Sequence, residues 1–442
     1  MNAASVGTSV LLLAASDVRP TVGEAVRLSA AWDGPSAAAI PWEGVDSATG
    51  AEATVTPRAT GPLTVRAGDA TIVLNVQPAE NSGASQVRAE VRSLPEIEAR
   101  SCRDDRYPAL AGAWVAWCSA TGRVDRAWDI VSGATVSLSD AVDAPGLGPA
   151  AILADTRGLW RLPDATPVPN LPRVSGAPLG PPATDGVHGA FVWATRVESF
   201  ALAESLRAQA EAAPLPWYAA ALAWPWAAWV EDGGTTREDI WARREDARRV
   251  PLARTARDER HPVGSDRWLG WVDSAGVYVQ DMTLGERRAY PADTGFLHGP
   301  SLWGPVACWE DRGALRGGTG DIDILCSDGL TLRRPGNQRA PTRWGPWLIF
   351  READRTLLAT ASELILDDDD PRAEGAGTTR AGGWRGAHRD GAVTFTFDWP
   401  AAGWGFERWE GGAWVPGGPL AVGRVTLTHP GGDAVRLAPV RP

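Results

Sequence analysis

Side chains able to do chemistry are sparse in this chain and rarely fall at useful spacings. The five His residues are His188, His261, His298, His388 and His429. None has a partner at metal-ligand spacing, and no HExxH occurs. His261 and His298 both precede a turn, at Pro262 and at Gly299-Pro300. Turn capping is the expected role, with a shared site at one mouth of a repeat structure as the alternative. The run Asp367-Asp368-Asp369-Asp370 offers the oxygens that Ca²⁺ prefers, but not the spaced D-x-D-x-D-G order of a defined loop. A solvated linker is expected there, with calcium as the alternative. Asp321 and Asp323 fall on one side of a strand-like segment. Glycoside hydrolysis needs two carboxylates about 5 to 10 Å apart. Among 54 Asp and Glu residues no spacing singles out such a pair.

The nucleophile and phosphate motifs are also missing. The chain has no Lys, so a P-loop Lys, a Schiff-base Lys and a Ser-Lys pair are all excluded. The stretch Gly313 to Gly320, GALRGGTG, therefore reads as a long hairpin loop. No GxSxG nucleophile elbow occurs. The expectation is a protein that is not an enzyme and that needs no cofactor and no metal.

Aromatic residues are the best lead to a ligand. The chain holds 23 Trp against 7 Phe and 4 Tyr. Most of the Trp residues sit in apolar strand phrases and are expected to fill space between stacked sheets. Trp384, Trp399, Trp404, Trp409 and Trp414 crowd the C-terminal end. A small sandwich buries about two of these, so Trp399, Trp404, Trp409 and Trp414 are candidates for an exposed platform for sugar rings or a protein partner.

Four Cys residues, Cys102, Cys118, Cys308 and Cys326, allow three pairings and form no CxxC. Two short-range bridges are expected, Cys102–Cys118 and Cys308–Cys326, because Cys308 and Cys326 end neighbouring strand phrases and Cys102 and Cys118 show a similar separation at the start of the repeat region. Disulfides place a protein outside the reducing cytosol, so the expected location is extracytoplasmic: periplasm, outer-membrane surface or secreted. Val10 to Ala15 is too short and lacks the basic flank of a signal peptide, and no apolar run is long enough for a transmembrane helix. The net charge of −11 argues against nucleic acid, which needs a basic stripe.

The element that must position these residues is a phrase recurring about every 40 residues. An apolar, Trp-rich strand leads into an acidic turn and a second short strand. Copies include Trp114 to Cys118, Ala227 to Asp232, Leu269 to Asp273, Val306 to Asp311 and Trp347 to Glu352. Seven phrases begin near Arg106, Gly146, Gly180, Trp217, His261, Gly299 and Ala340. Short strands at this period predict a β-propeller of seven blades, with six or eight as open alternatives. Ser199 to Ala213 departs from the pattern and, rich in Ala, Leu, Glu, Gln and Arg, predicts a short helix ended by Pro214 and Pro216.

Leu269 to Asp273, followed by Gly276-Val277-Tyr278-Val279-Gln280-Asp281 and Leu284-Gly285-Glu286, resembles the blade of TolB-like and WD40-like bacterial propellers. That resemblance implies the fold and leaves the activity open. Pro20-Thr21-Val22-Gly23-Glu24-Ala25-Val26-Arg27-Leu28, with Trp42, resembles the first strands of bacterial Ig-like and PKD-like domains. The expected organisation is all-β. An Ig/PKD-like β-sandwich spans 1–78, a linker and first propeller strand 79–100, and the seven-bladed propeller 101–372. A linker follows at 373–384 and a small β-sandwich at 385–442. The expected function is a non-catalytic exported envelope or cell-surface binding or scaffold protein, with a protein partner. Glycan binding through the C-terminal Trp residues, or a carbohydrate-active site on a propeller face, are the alternatives.

Overall fold

The computed structural model describes the strands given below and most of the turns between them. The longer stretches outside the described residues are 1–9, 16–24, 33–39, 77–88, 99–108, 168–182, 202–209, 292–298, 313–321 and 367–386. Every regular element among the described residues is a β-strand, and every pairing is antiparallel.

Seven consecutive four-stranded sheets form the body of the protein. They occupy 109–142, 146–167, 183–212, 216–253, 260–291, 301–332 and, for the last, 338–361, and are called blades 1 to 7 here. Each is a meander of strands in chain order. The first strand of each blade lies beside the first strands of the next and the previous blade. Blade 7 returns to blade 1, so the seven make a closed ring. This is the seven-bladed propeller expected from the period. The fourth strand of blade 7 comes from far away in sequence: Ala89–Glu98 pairs with Arg355–Ala361. A strand from before the ring thus completes the last blade and fastens the two ends of the ring together.

The Trp-rich phrases are the second strands. Trp268–Asp273 is buried along its whole length, and Trp226–Asp232 and Val306–Asp311 nearly so. A strand with a neighbouring blade on both faces cannot alternate apolar with polar, and so reads as a continuous apolar run. Trp229 and Trp271 are among the largest fully buried side chains. The turn between third and fourth strands repeats too. Asp129 accepts the Val131 amide at 2.8 Å, and Asp281 accepts the Thr283 amide at 2.7 Å. In each turn the Gly four residues on donates back to the Asp carbonyl, with φ of 73° at both Gly133 and Gly285. The short carboxylate mimics a backbone turn, and Gly takes the left-handed conformation.

The expected helix at 199–213 is corrected at 199–201 and 210–212. Arg196–Ala201 and Ala210–Ala212 are the third and fourth strands of blade 3, and residues 202–209 lie outside the described residues. Helix propensity is a weak preference, and ladder pairing within the blade overrides it.

Two sheets before the ring, one of Val10–Ala15, Val26–Trp32, Glu52–Val55 and Ser47–Thr49, the other of Trp42–Glu43, Gly61–Ala67 and Ala70–Val76, make a sandwich. They share a core that includes Leu13, Val26, Leu28, Val65 and Leu74. It leans on the outer strands of blades 4 and 5, where the Ala15 amide donates to the Gly285 carbonyl at 3.3 Å. A second sandwich follows the ring. One sheet holds Trp404–Glu410, Ala413–Pro419 and Val435–Pro439, and the other Ala387–Arg389, Ala392–Trp399 and Gly423–Pro430. Its first sheet also recruits Leu364–Leu366, just past blade 7.

Candidate functional site

In a four-stranded meander the turns after the first and third strands fall at one end of the blade. Those after the second and fourth strands fall at the other. The C-terminal sandwich sits on the first end. Trp303 closes the first strand of blade 6, and its ring lies 6.3 Å from that of Trp399. Gly345, in the equivalent turn of blade 7, has φ of 56°, and a Cβ there would lie 2.9 Å from Pro400. Asp266 of blade 5 pairs with Arg424 at 3.6 Å. Ala113 and Ile130 of blade 1 join the same apolar cluster as Trp399 and Trp404. Four successive blades therefore have this end capped, and the opposite end is the candidate recognition face.

That opposite face gathers ion pairs at the ends of the second strands and in the connections between blades, and Arg249 reaches Glu231 from just before the fourth strand of blade 4. Glu231 accepts Trp229 Nε1 and Arg249 Nη1, each at 2.7 Å. The Arg249 guanidinium lies 4.5 Å from the centroid of Trp241. Asp273 accepts the amides of Ala275 and Gly276 on one oxygen. Its other oxygen accepts Arg257 and the Tyr278 hydroxyl, both at 3.1 Å. Burial and the adjacent Asp273 carboxylate push the Tyr278 phenol up to about 12. Arg254 approaches Asp239 at 3.5 Å, Arg260 holds Glu238 and Asp258, and Arg334 meets Glu352 at 2.8 Å. Burial raises the Glu238 carboxyl despite its Arg260 partner. Nearer the outer edge, Arg287 donates to Gln280 and to the Leu252 carbonyl, its guanidinium 4.7 Å from the Trp271 ring centroid. Burial pulls it down to about 10.

The first strands open on this face with strained backbone. His261 and Ala340 have φ of 53° and 51°, and each lies in a bulge, between Arg260 and Val263 and between Arg339 and Thr342. The Ala340 amide donates to Glu310 Oε1 of the neighbouring blade at 2.7 Å. Non-Gly residues in this conformation cost of order 1–3 kcal/mol and persist where their surroundings over-determine them. A Cβ on Gly299 would lie 2.8 Å from that of His261, so the first strands of blades 5 and 6 close on each other here.

The platform of four Trp residues is corrected for two of them. Trp399 is 1% exposed and Trp404 5%; the Trp399 indole donates to the Ala401 carbonyl at 2.8 Å, and the two rings meet edge-on at 5.1 Å. They are the wedge between sandwich and ring, and burial there removes more apolar area from water than a surface would. Trp414 is half-buried under the Arg436 guanidinium at 4.8 Å. The backbone of Trp409 lies in Trp404–Glu410, and its side chain is outside the described residues, as is Trp384.

Cys308 and Cys326 are bridged across the second and third strands of blade 6, directly opposite each other with Cα atoms 4.0 Å apart. The neighbouring Ser327 amide donates to Ala307, which makes 308/326 the close, non-hydrogen-bonded kind of pair that a cross-strand bridge fits. Cys102 lies outside the described residues, and so does the expected Cys102–Cys118 bridge. Asp367 to Asp370, Asp321 and His298 are outside them as well. Asp323 is described and opposes Asp311 across the blade 6 strands. His188 stacks on Trp224 at 3.8 Å, and His388 and His429 fall in strands of the C-terminal sandwich. Among the described residues no group of three His, Cys, Asp or Glu could hold a metal ion.

Sequence reasoning missed the Arg–carboxylate lattice of blades 4 and 5. A signal for it existed. Asp258-Glu259-Arg260-His261-Pro262 in blade 5 parallels Asn337-Gln338-Arg339-Ala340-Pro341 in blade 7.

Sheet order and ring closure define the class: an all-β protein built on a seven-bladed propeller with a β-sandwich on either side. No family model matches the chain, and no curated protein matches it. Solved structures similar to it include an inactive virginiamycin B lyase from Staphylococcus aureus, crystallised with quinupristin. That structure is 13% identical, over 62% of this chain and 99% of its own, with a TM-score of 0.42. BamB from Moraxella catarrhalis is 12% identical over 80% and 99%, with a TM-score of 0.36. The designed protein Ika8 is 11% identical over 69% and 95%, with a TM-score of 0.38. At these values none of them bears on what this chain does, and the propeller is read from its own sheet order.

Proposed function

We propose that this is a non-catalytic binding or scaffold protein of an extracytoplasmic compartment. It engages a protein partner through the propeller face opposite the C-terminal sandwich. The observation that carries the reading is the placement of that sandwich. By occupying one end of blades 5, 6, 7 and 1, it leaves the other end as the broad surface of the ring. That surface is dense in Arg–carboxylate pairs with fixed geometry, which suits recognition of a polar protein surface and sets its specificity more than its affinity. The Cys308–Cys326 bridge supports an oxidising location. No helix among the described residues is long and apolar enough to cross a membrane. The glycan alternative loses support with the burial of Trp399 and Trp404.

The test is site-specific photo-crosslinking in the protein's own cell envelope. A photo-reactive residue replaces exposed Asp232 or Arg257 on the open face, or exposed Val422 on the C-terminal sandwich. The expected result is one protein species captured from Asp232 and Arg257 but not from Val422. Capture from Val422 alone, or from none of the three, overturns the reading.

A further inference from the structure

We propose that Glu259 is held as a neutral carboxylic acid in the folded propeller, and that its ionisation loosens the seam between blades 4 and 5. This goes beyond the binding reading and does not depend on it.

Glu259 and Gln338 occupy the same place in blades 5 and 7. Each precedes an Arg-X-Pro whose middle residue has positive φ, His261 or Ala340. Each amide donates across the seam at 2.8 Å, Glu259 to the Glu238 carbonyl and Gln338 to the Ile322 carbonyl. Each side chain folds back on the loop before it: Gln338 Oε1 accepts the Arg334 amide at 3.3 Å, and Glu259 Oε1 accepts the Thr255 amide at 3.1 Å. Both side chains are buried, at 0% and 1% exposure.

They differ in one atom. In blade 7 that atom is an amide nitrogen, Nε2, which donates to the carbonyls of Arg334 and Gly336. In blade 5 it is Oε2 of Glu259, buried and without a hydrogen-bond partner. A proton on the carboxyl makes Glu259 the chemical counterpart of Gln338. A charge there would be uncompensated and costly. The groups around it do not favour that charge. Asp239 from the third strand of blade 4 and Asp273 from the second strand of blade 5 both raise the pKa of Glu259, and the hydrogen bonds from Thr255 lower it. The nearby cations are already engaged, Arg254 with Asp239, Arg257 with Asp273, and Arg260 with Glu238 and Asp258. Arg287, from the fourth strand of blade 5, also feels the Glu259 charge, but it donates to Gln280 and the Leu252 carbonyl. Tyr278 is bound to Asp273. Burial is the largest cause, and it pushes Glu259 up from 4.5 to about 8.

The sign follows by linkage. The folded state keeps a proton that the unfolded chain loses above the ordinary carboxylate range, so stability is full below 4.5 and is lost as pH rises through about 8. The test compares the full chain with Glu259→Gln and with Gln338→Glu by urea unfolding across this window. The natural protein is expected to take up roughly one proton on folding near neutral pH, seen as a midpoint that falls with rising pH. Glu259→Gln is expected to lose that slope, and Gln338→Glu to gain a second one. An infrared band of a protonated carboxyl at neutral pH, absent in Glu259→Gln, is the direct check. Equal slopes in the natural protein and Glu259→Gln overturn the proposal. If that variant does not fold, a Gln338→Glu slope unchanged from the natural protein, or absence of the band from the natural protein, overturns it.

Discussion

Trp303 of blade 6 and Trp399 of the C-terminal sandwich meet with ring centroids 6.3 Å apart and planes tilted by 56°. The contact joins two bodies that are separate in sequence. Phe397 and Trp404 complete it from the sandwich side, at 6.0 and 5.1 Å from Trp399. Trp399→Ala is expected to cost about 3–5 kcal/mol in urea unfolding, the usual range for emptying a buried aromatic site. Trp414→Ala, at a half-buried ring, is expected to cost less than half as much. Equal small effects would mean that Trp399 is not a core residue.

The blade 6 bridge closes a loop whose ends are 18 residues apart. Cys308→Ala combined with Cys326→Ala is expected to lower stability by about 3 kcal/mol, from the entropy returned to the unfolded chain. The measurement is denaturant unfolding with and without reductant. Reductant should no longer shift the midpoint contributed by this bridge.

Two glycine substitutions separate crowding from backbone strain. A Cβ on Gly264 would lie 2.0 Å from the Leu222 carbonyl oxygen, where the first strands of blades 4 and 5 touch. Neither backbone can move without opening the ring, so Gly264→Ala is expected to cost about 3 kcal/mol, at the upper end for overpacking. Gly133 has φ of 73° and open space around it, so Gly133→Ala is expected to cost only about 1–2 kcal/mol, from the left-handed conformation alone. Melting curves of the two variants should rank in that order.

Tyr278 gives a prediction at high pH. Its phenol is raised from 10.0 to about 12, so its contribution to stability is complete below 10 and is lost as pH rises through about 12. Absorbance titration should show that Tyr278→Phe removes a tyrosine transition near 12. Loss of a transition near the ordinary value would contradict the Asp273 contact.

Much of this protein was legible in its sequence, because a blade is local. Its period, its apolar second strands and its Asp-to-Gly turns at Asp129–Gly133 and Asp281–Gly285 all lie within about 40 residues. Composition excluded Lys chemistry outright. Tertiary structure decided whatever depended on distant partners. Pairing alone made Ala89–Glu98 the closing strand of blade 7. Docking of the sandwich onto the ring buried Trp399 and Trp404, residues whose types would equally suit a surface. The Arg–carboxylate lattice joins second strands to the connection before their blade, Asp273 to Arg257 and Glu352 to Arg334, and its pairs form only when that connection folds back over the blade. The matched environments of Glu259 and Gln338 became visible only when both seams were folded. Periodicity reports which way a side chain faces within its own sheet; what covers that face is set by chain that periodicity does not see.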